Sequence, residues 1–264
     1  MTARDRARGE ATLQRLRELG TAEHTVHYGD LSMLSDLKRV GAEIAAEPRI
    51  DVLINNAGAM FSSLQVTEDR LERTFALNHL SYYVLTHFLR ERLLASAPAR
   101  IVNTSSDAHA SGDIDLDDLQ SQKVYGNSGV GELLRYGGPG YKVYARSKLC
   151  NVLFTRELAR RLTGTGVTAN CFHPGFVATR FGGRAGGLMS FSLGIAKRFA
   201  LSPAEGAKTL IYLASSPDVA SVSGQYFDKC HVAAPSPMAQ DDDLARQLWE
   251  KTAAIAGTQK ETSS

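Results

Sequence analysis

The sequence predicts a single α/β domain, a doubly wound sheet of parallel strands with helices on both faces. Three observations carry this. Short apolar runs alternate along the chain with helical patterns of roughly 12–25 residues, which is the signature of βαβ units and hence of a parallel sheet buried on both sides. The apolar runs end in polar clusters: Asp30-Leu31, Asn56-Ala57-Gly58, Ser105-Ser106 and His173-Pro174-Gly175. The 264 residues have 43% hydrophobic and 22% charged content, with no repeat or low-complexity linker, which suits one large domain with a substantial core.

The elements follow in order. Asp5 can cap a helix running to about Leu19, with Leu13, Leu16 and Leu19 on its inner side and Gly20 as its stop. Thr25 to Tyr28 reads as a short strand, after which Ser32 caps a helix that turns Leu34, Leu37, Val40 and Ile44 inward. Asp51 to Asn55 is a compact apolar strand, followed by a long helical pattern from about Asp69 to Leu94. Arg100 to Thr104 is another buried-type strand. From Asp107 to Pro139 the chain is rich in Gly, Asp and Ser without a sustained period, so it reads as an ordered excursion. It leads into a helix that carries Leu149, Val152, Leu153, Leu158 and Leu162 inward and ends near Gly164, before a strand from Val167 to Cys171. Ser202-Pro203-Ala204-Glu205 is a helix start, with a capping Ser, Pro at the first helical position and Glu three residues after the cap. Gln225 to Asp228 is a last strand, Asp242 to Ala256 a terminal helix, and the polar tail after Gly257 a frayed end.

Composition excludes several function classes. A formal net charge of +2 argues against a dedicated nucleic-acid binder. Cys150, Cys171 and Cys230 are widely separated with no C-x-x-C spacing, so neither a disulfide framework nor a structural zinc site is expected. The seven histidines show no H-E-x-x-H or carboxylate-clustered pattern, so no metal is expected. No apolar run is long enough to span a membrane, and the N-terminus has no apolar core for secretion, which makes cytoplasmic the expected localisation.

The chemistry centres on Gly140 to Leu149, G-Y-K-V-Y-A-R-S-K-L. Tyr144 and Lys148 lie four residues apart, so on a helix a phenol and an ammonium share one face. A tyrosine hydroxyl titrates near ~10, and a cation within roughly 4–6 Å favours its ionised form, so the lysine is expected to make the phenol usable as an acid near neutrality. Tyr141 lacks such a partner, its i+4 residue being Ala145, and reads as a pocket wall.

The motifs in sequence resemble the short-chain dehydrogenase/reductase family. They are D-L (Asp30, Leu31), N-N-A-G (Asn55 to Gly58), Asn78 in F-A-L-N-H, S-S (Ser105, Ser106), Y-x-x-x-K (Tyr144, Lys148) and P-G-x-V-x-T (Pro174 to Thr179). The likeness runs over essentially the whole chain. R-I-V-N-T-S-S, D-I-D-L-D-D-L and S-K-L-x-N-x-L-F-T-x-E-L-A-R-R-L are most similar to its retinol-dehydrogenase-like branch.

The resemblance implies a Rossmann-like fold and an NADP- or NAD-dependent interconversion of an alcohol with a ketone or aldehyde. Tyr144 would be the proton donor or acceptor, Ser106 would orient the substrate oxygen, and Lys148 would bind the nicotinamide ribose. Asn78 would hold a relay water. Arg4, Asp30 and Leu31 would lie at the adenosine end, with Arg4 favouring NADP through its 2′-phosphate. Asn56, Ala57 and Gly58 would approach the cofactor backbone, and Pro174, Gly175, Val177 and Thr179 would hold the carboxamide. Residues 181–201, with Leu188, Met189, Phe191, Leu193, Ile195 and Phe199, would form an apolar substrate lid, which makes a small apolar carbonyl or alcohol the expected partner. A membrane-surface helix is the rival reading of that segment, and its polar face is thin. The family also implies a homo-oligomer, dimer or tetramer, while lid-bearing relatives can be monomers.

The resemblance breaks at the N-terminus. The family begins with a strand and a T-G-x-x-x-G-x-G turn whose amides cradle the pyrophosphate, whereas Met1 to Asp5 resembles the end of its second strand. The domain therefore reads as N-terminally truncated, without the strand that lies centrally in a 3-2-1-4-5-6 order. Either Met1 is internal to a longer reading frame, or the chain is shortened and binds cofactor poorly. The latter opens an alternative: a catalytically silent Rossmann-fold protein acting through interactions. An epimerase of the extended class is a further rival, opposed by the compact C-terminal half.

Overall fold

The computed structural model describes residues 1–126, 138–175 and 202–259. Strands β1 (Thr2–Ala3), β2 (His27–Tyr28), β3 (Val52–Asn55), β4 (Ala99–Thr104), β5 (Val167–His173), β6 (Tyr226–Asp228) and β7 (His231–Ala233) form the sheets. The helices are α1 (Arg6–Leu19), α2 (Leu34–Ala45), α3 (Arg73–Phe75), α4 (Ser81–Ala95), α5 (Gln122–Gly126), α6 (Pro139–Arg161), α7 (Pro203–Ser215) and α8 (Asp242–Ala256).

β3, β4, β5 and β6 run parallel, and β7 closes the edge antiparallel to β6. The alternating pattern thus produced the parallel α/β sheet, whose central strands β4 and β5 are buried almost throughout. β1 pairs only with β2, so the strands divide into the orders β2-β1 and β3-β4-β5-β6-β7. Among the described residues β1 and β3 each keep one unpaired edge, and Ile54 on β3 is 42% exposed. This is the place where the 3-2-1-4 order sets the strand that has no counterpart in the sequence. The main core lies between the five-stranded sheet and α4, α6 and α8, around Leu80, Leu89, Leu149, Leu153 and Leu248.

Several ends are set by local caps, of which the sequence announces Asp5 and Ser202. Asp5 accepts from Arg8 N, Ser202 from Glu205 N and Asp241 from Leu244 N, while Gly257 ends α8 with a left-handed φ of 72°. Other expectations are corrected. Ser32 does not cap α2, because its hydroxyl donates to Asp30 Oδ1 and the Leu34 amide is taken by Asp69 Oδ2. Leu19 is 84% exposed rather than inward, since only Gly9 and Leu13 of α1 are buried. The pattern from Asp69 becomes helical only at Arg73, where the buried Glu72 carboxylate accepts from Thr74 N and Phe75 N. Between α3 and α4 the helix widens into a π-turn, Ala76–Leu80. One extra residue in that turn rotates Asn78 and His79 into the core.

Candidate active site

The carboxyl ends of β3, β4 and β5 share one rim, and their register sets Asn55 beside Asn103 and Thr104 beside Phe172. Buried amides stitch it together: Asn55 Nδ2 donates to Asn103 Oδ1 at 2.9 Å, and Asn103 Nδ2 to Thr155 Oγ1 on α6 at 2.9 Å. Just beyond, Thr104 Oγ1 donates to Asn56 Oδ1 at 2.9 Å. The strand ends are thereby locked to α6, which carries Tyr144 and Lys148.

α6 starts with Pro139 at its first position, where a missing amide hydrogen is harmless. Its first turn lies directly on the Phe61–Ser62 backbone, and only a glycine at position 140 leaves room for the Phe61 carbonyl oxygen. This contact aims Tyr144 into the rim, where its ring packs with Met60, Ala108 and Ala145. Tyr141 flanks that cluster as a partly buried wall.

The two neighbouring serines are separated by strand alternation. Ser105 is buried, and its hydroxyl donates to Lys148 O at 2.9 Å, so it serves the sheet–helix joint. Ser106 faces the rim, where its side chain acts to lower the pKa of the Tyr144 phenol and its hydroxyl donates to Asp107 Oδ1 at 3.3 Å. Lys148 is buried one turn along α6; Nζ donates to Thr104 O at 3.0 Å and stands 5.7 Å from the Tyr144 ring centre and 5.9 Å from that of Tyr82.

The electrostatics differ from the expectation that lysine keeps the phenol acidic. Burial pushes the Tyr144 hydroxyl well above its ordinary range; the Ser106 side chain acts in the opposite sense, and Asp107 and Tyr141 add to the rise. Burial also holds the Lys148 amine down to about 7. Desolvation outweighs attraction at this separation, so the pair rests as neutral phenol beside a readily deprotonated amine.

Asn78 projects from the π-turn. Its Oδ1 accepts from Ala59 N at 2.8 Å, while Nδ2 donates to Ala59 O and to Ser147 Oγ, each at 2.9 Å. It therefore clamps the loop containing Asn56, Ala57 and Gly58 against α6. At the far end, Asp30 Oδ2 meets Arg4 at 3.5 Å and Arg73 at 3.3 Å. Burial works to raise the Asp30 carboxyl, but hydrogen bonds from Ser32 and the cations Arg4 and Arg73 hold it below its usual value. Leu31 beside it is buried in the core. Pro174 and Gly175 follow β5 at the same rim, Gly175 with φ 77°. Val177, Thr179 and the expected lid at 181–201 lie outside the described residues.

A family model described as short chain dehydrogenase matches residues 1–116. Retinol dehydrogenase 14 of Homo sapiens is 42% identical across 98% of this chain and 79% of its own length. The chain belongs to the short-chain dehydrogenase family. Retinol dehydrogenase 13 of Homo sapiens is 40% identical over 97% of the chain and 76% of its own length. In structure, an uncharacterized protein from Mycobacterium Paratuberculosis is similar with a TM-score of 0.74 and 29% identity, covering 98% of this chain and 83% of that one. A short chain dehydrogenase from Escherichia coli CFT073, complexed with NADPH, is similar in fold with a TM-score of 0.63 and 20% identity, covering 91% and 85%. This dehydrogenase is thus an oxidoreductase, with no helix among its described residues long and apolar enough to cross a membrane.

The residues present fit the two ends of a nicotinamide nucleotide. Thr104 O takes one hydrogen of Lys148 Nζ, which leaves two donor directions toward the rim. A side chain at Gly58 would come within 3.5 Å of that Nζ and 3.2 Å of Asn78 Oδ1, so the glycine keeps the approach open. Arg4 and Asp30 offer a cation and a carboxylate at the other end. No T-G-x-x-x-G-x-G run for the pyrophosphate occurs in the 264 residues.

Three contributors escaped the sequence. Thr104 acts through its carbonyl oxygen, which has no side-chain signature, and Tyr82 reaches Lys148 from α4 by tertiary packing alone. The third, Arg146, sits between Tyr144 and Lys148 in sequence but points away; it is buried against Asp113 and Asp118 and ties the acidic excursion to α6. Its signal was present in that excursion's run of aspartates.

Proposed function

We propose that this dehydrogenase interconverts an apolar alcohol and its aldehyde or ketone with NADP or NAD, using Tyr144 as the proton donor and acceptor. The observation that carries the reading is the placement of Ser106, Tyr144 and Lys148 at one rim, with Ser106 acting on the Tyr144 phenol and Lys148 Nζ 5.7 Å from its ring centre.

The bound nicotinamide supplies or accepts the hydride at the substrate carbon. The chain supplies position and the proton. In reduction, Ser106 donates a hydrogen bond to the carbonyl oxygen and holds it against the phenol, and Tyr144 transfers its proton to that oxygen. A neutral phenol, favoured by burial, is the form this direction needs. In oxidation the proton returns from the alcohol to Tyr144, and Lys148 nearby stabilises the phenolate. Lys148 also holds the nicotinamide ribose, Asn78 fixes the Asn56 to Gly58 loop along the cofactor and holds the relay water, and Pro174, Gly175, Val177 and Thr179 take the carboxamide. Arg4, Asp30 and Leu31 take the adenosine end.

For the substrate, the apolar wall of Met60, Ala108 and Tyr141 supports a lipophilic carbonyl, and the retinol dehydrogenases among its relatives support a polyene aldehyde of that kind. The test is NADPH oxidation with a panel of apolar aldehydes and ketones, retinal included, against polar sugars. Turnover confined to the apolar set is expected; no turnover with any carbonyl sinks the reading. That outcome favours a second reading, a catalytically silent protein acting through interactions.

A further inference from the structure

His109 lies in the short 3₁₀ turn Asp107–Ser111 that follows Ser106, and it is 4% exposed. Its Nδ1 is 2.6 Å from the Ser106 carbonyl oxygen. On the other side of the ring, the backbone N–H of Ser236 donates to Nε2 at 3.1 Å.

These contacts fix the proton. An amide N–H only donates, so Nε2 is bare; a carbonyl oxygen only accepts, so Nδ1 carries the hydrogen. The ring is the neutral Nδ1–H tautomer. A second proton, on Nε2, would face the Ser236 hydrogen, and burial also disfavours that charge. The titratable groups facing the ring are Asp107 on its own turn, His173 from β5 and Tyr226 from β6, whose ring centre is 4.8 Å away.

The brace acts on one residue. Ser106 is extended, with φ −165° and ψ 157°, at the point where β4 gives way to the turn. Its carbonyl oxygen takes the His109 amide at 3.1 Å as well as the His109 ring, and its hydroxyl accepts from Ala108 N at 3.2 Å. With the carbonyl held, the Cα–Cβ bond that carries the hydroxyl is fixed, and the bonds to Ala108 N and to Asp107 Oδ1, the latter at 3.3 Å, select its rotamer. Ser236, at the far side, leads through the turn Pro237–Gln240 to α8.

We infer that His109 is a positioning residue for Ser106: a neutral imidazole, braced against the Ser236 amide, that fixes the Ser106 backbone and so aims its hydroxyl at the oxygen shared with Tyr144. The role rests on the dehydrogenase reading of Ser106 and Tyr144. It explains why a polar ring with both nitrogens engaged occupies a buried site between a strand end and the C-terminal segment.

The first test does not depend on turnover. In protein labelled with ¹⁵N-histidine, a long-range ¹H–¹⁵N correlation spectrum at pH 7, with His109 assigned by its loss in His109→Asn, should show the neutral Nδ1–H form. An Nε2–H tautomer or an imidazolium overturns the inference. The second test uses carbonyl reduction. His109→Leu removes both ties and should lower kcat by roughly tenfold or more with KM within about threefold, whereas His109→Asn, which keeps a donor at the Nδ1 position, should stay within about threefold in kcat. Should His109→Leu fail to fold, Ser236→Pro removes only the outer brace; the φ of Ser236 is −57°, so proline fits there, and kcat should fall by about threefold or more. Wild-type kcat in His109→Leu, or in Ser236→Pro where His109→Leu does not fold, overturns the positioning role alone. Absence of turnover in the wild-type chain instead overturns the dehydrogenase reading beneath it.

Discussion

Lys148 Nζ stands 5.7 Å from the centre of the Tyr144 ring and gives its hydrogen bond to Thr104 O. Both groups are buried, and desolvation, not mutual attraction, sets their resting protonation. The lysine is therefore kept at the expense of stability.

That imbalance has a pH signature. The Lys148 amine titrates at about 7 in the folded chain, against 10.5 for an ordinary lysine. Between these values the unfolded chain binds more protons, so this group makes stability rise with pH across the window; below it, the full penalty of a buried ammonium is present. Lys148→Met removes the penalty while Thr104 O keeps its bond from Asn151 Nδ2 at 3.2 Å. It should raise Tm by about 2–6 °C at pH 6, with the gain vanishing toward pH 10, and lower kcat/KM by roughly a hundredfold or more. Thermal melts across pH read the first effect; a gain that grows with pH contradicts this account of the lysine.

Arg4 is 46% exposed and its partner Asp30 lies 3.5 Å away, so the guanidinium can turn to a phosphate at little loss of stability. Arg4→Ala should weaken NADPH binding about tenfold and leave NADH within about threefold. Fluorescence titration with both nucleotides decides; equal losses would place Arg4 outside the 2′-phosphate site.

Asn78 holds both polar groups of the Ala59 backbone. Asn78→Ala leaves that amide and carbonyl unsatisfied in a part-buried loop, which should destabilise by about 2–4 kcal/mol and depress kcat/KM more than about tenfold, because the loop beside Gly58 loosens. Denaturant unfolding measures the first quantity. A variant as stable as the parent contradicts the clamp.

At Gly140 a methyl would overlap the Phe61 carbonyl oxygen, a backbone atom that cannot swing aside. Gly140→Ala should tilt α6 away from the rim, lowering Tm by about 3–8 °C and kcat about tenfold or more. Undiminished activity would show that the helix start does not set the position of Tyr144.

The sequence made the alternating framework and most helix ends legible because their causes are local. Asp5 and Ser202 act on residues three positions away, and apolar periodicity marks faces that become buried. What it hid depends on distant partners. The α2 amide expected to meet Ser32 is taken by Asp69, thirty-five positions along the chain. The short strand β7 exists only by pairing with β6, and the π-turn at Asn78 leaves the helical apolar pattern unbroken. At the site, the tyrosine and lysine were readable as types and spacing, and the second serine through the family resemblance. The burial of the tyrosine and lysine was not, and burial reverses the expected ease of ionising Tyr144.

The central claim is that Tyr144 carries the proton. Tyr144→Phe removes one oxygen from a site that otherwise keeps its packing, so NADPH affinity, read by fluorescence titration, should stay within about threefold while kcat for an apolar aldehyde falls by roughly a thousandfold or more. A Phe variant that reduces the aldehyde within tenfold of the parent rate would show that the proton comes from elsewhere.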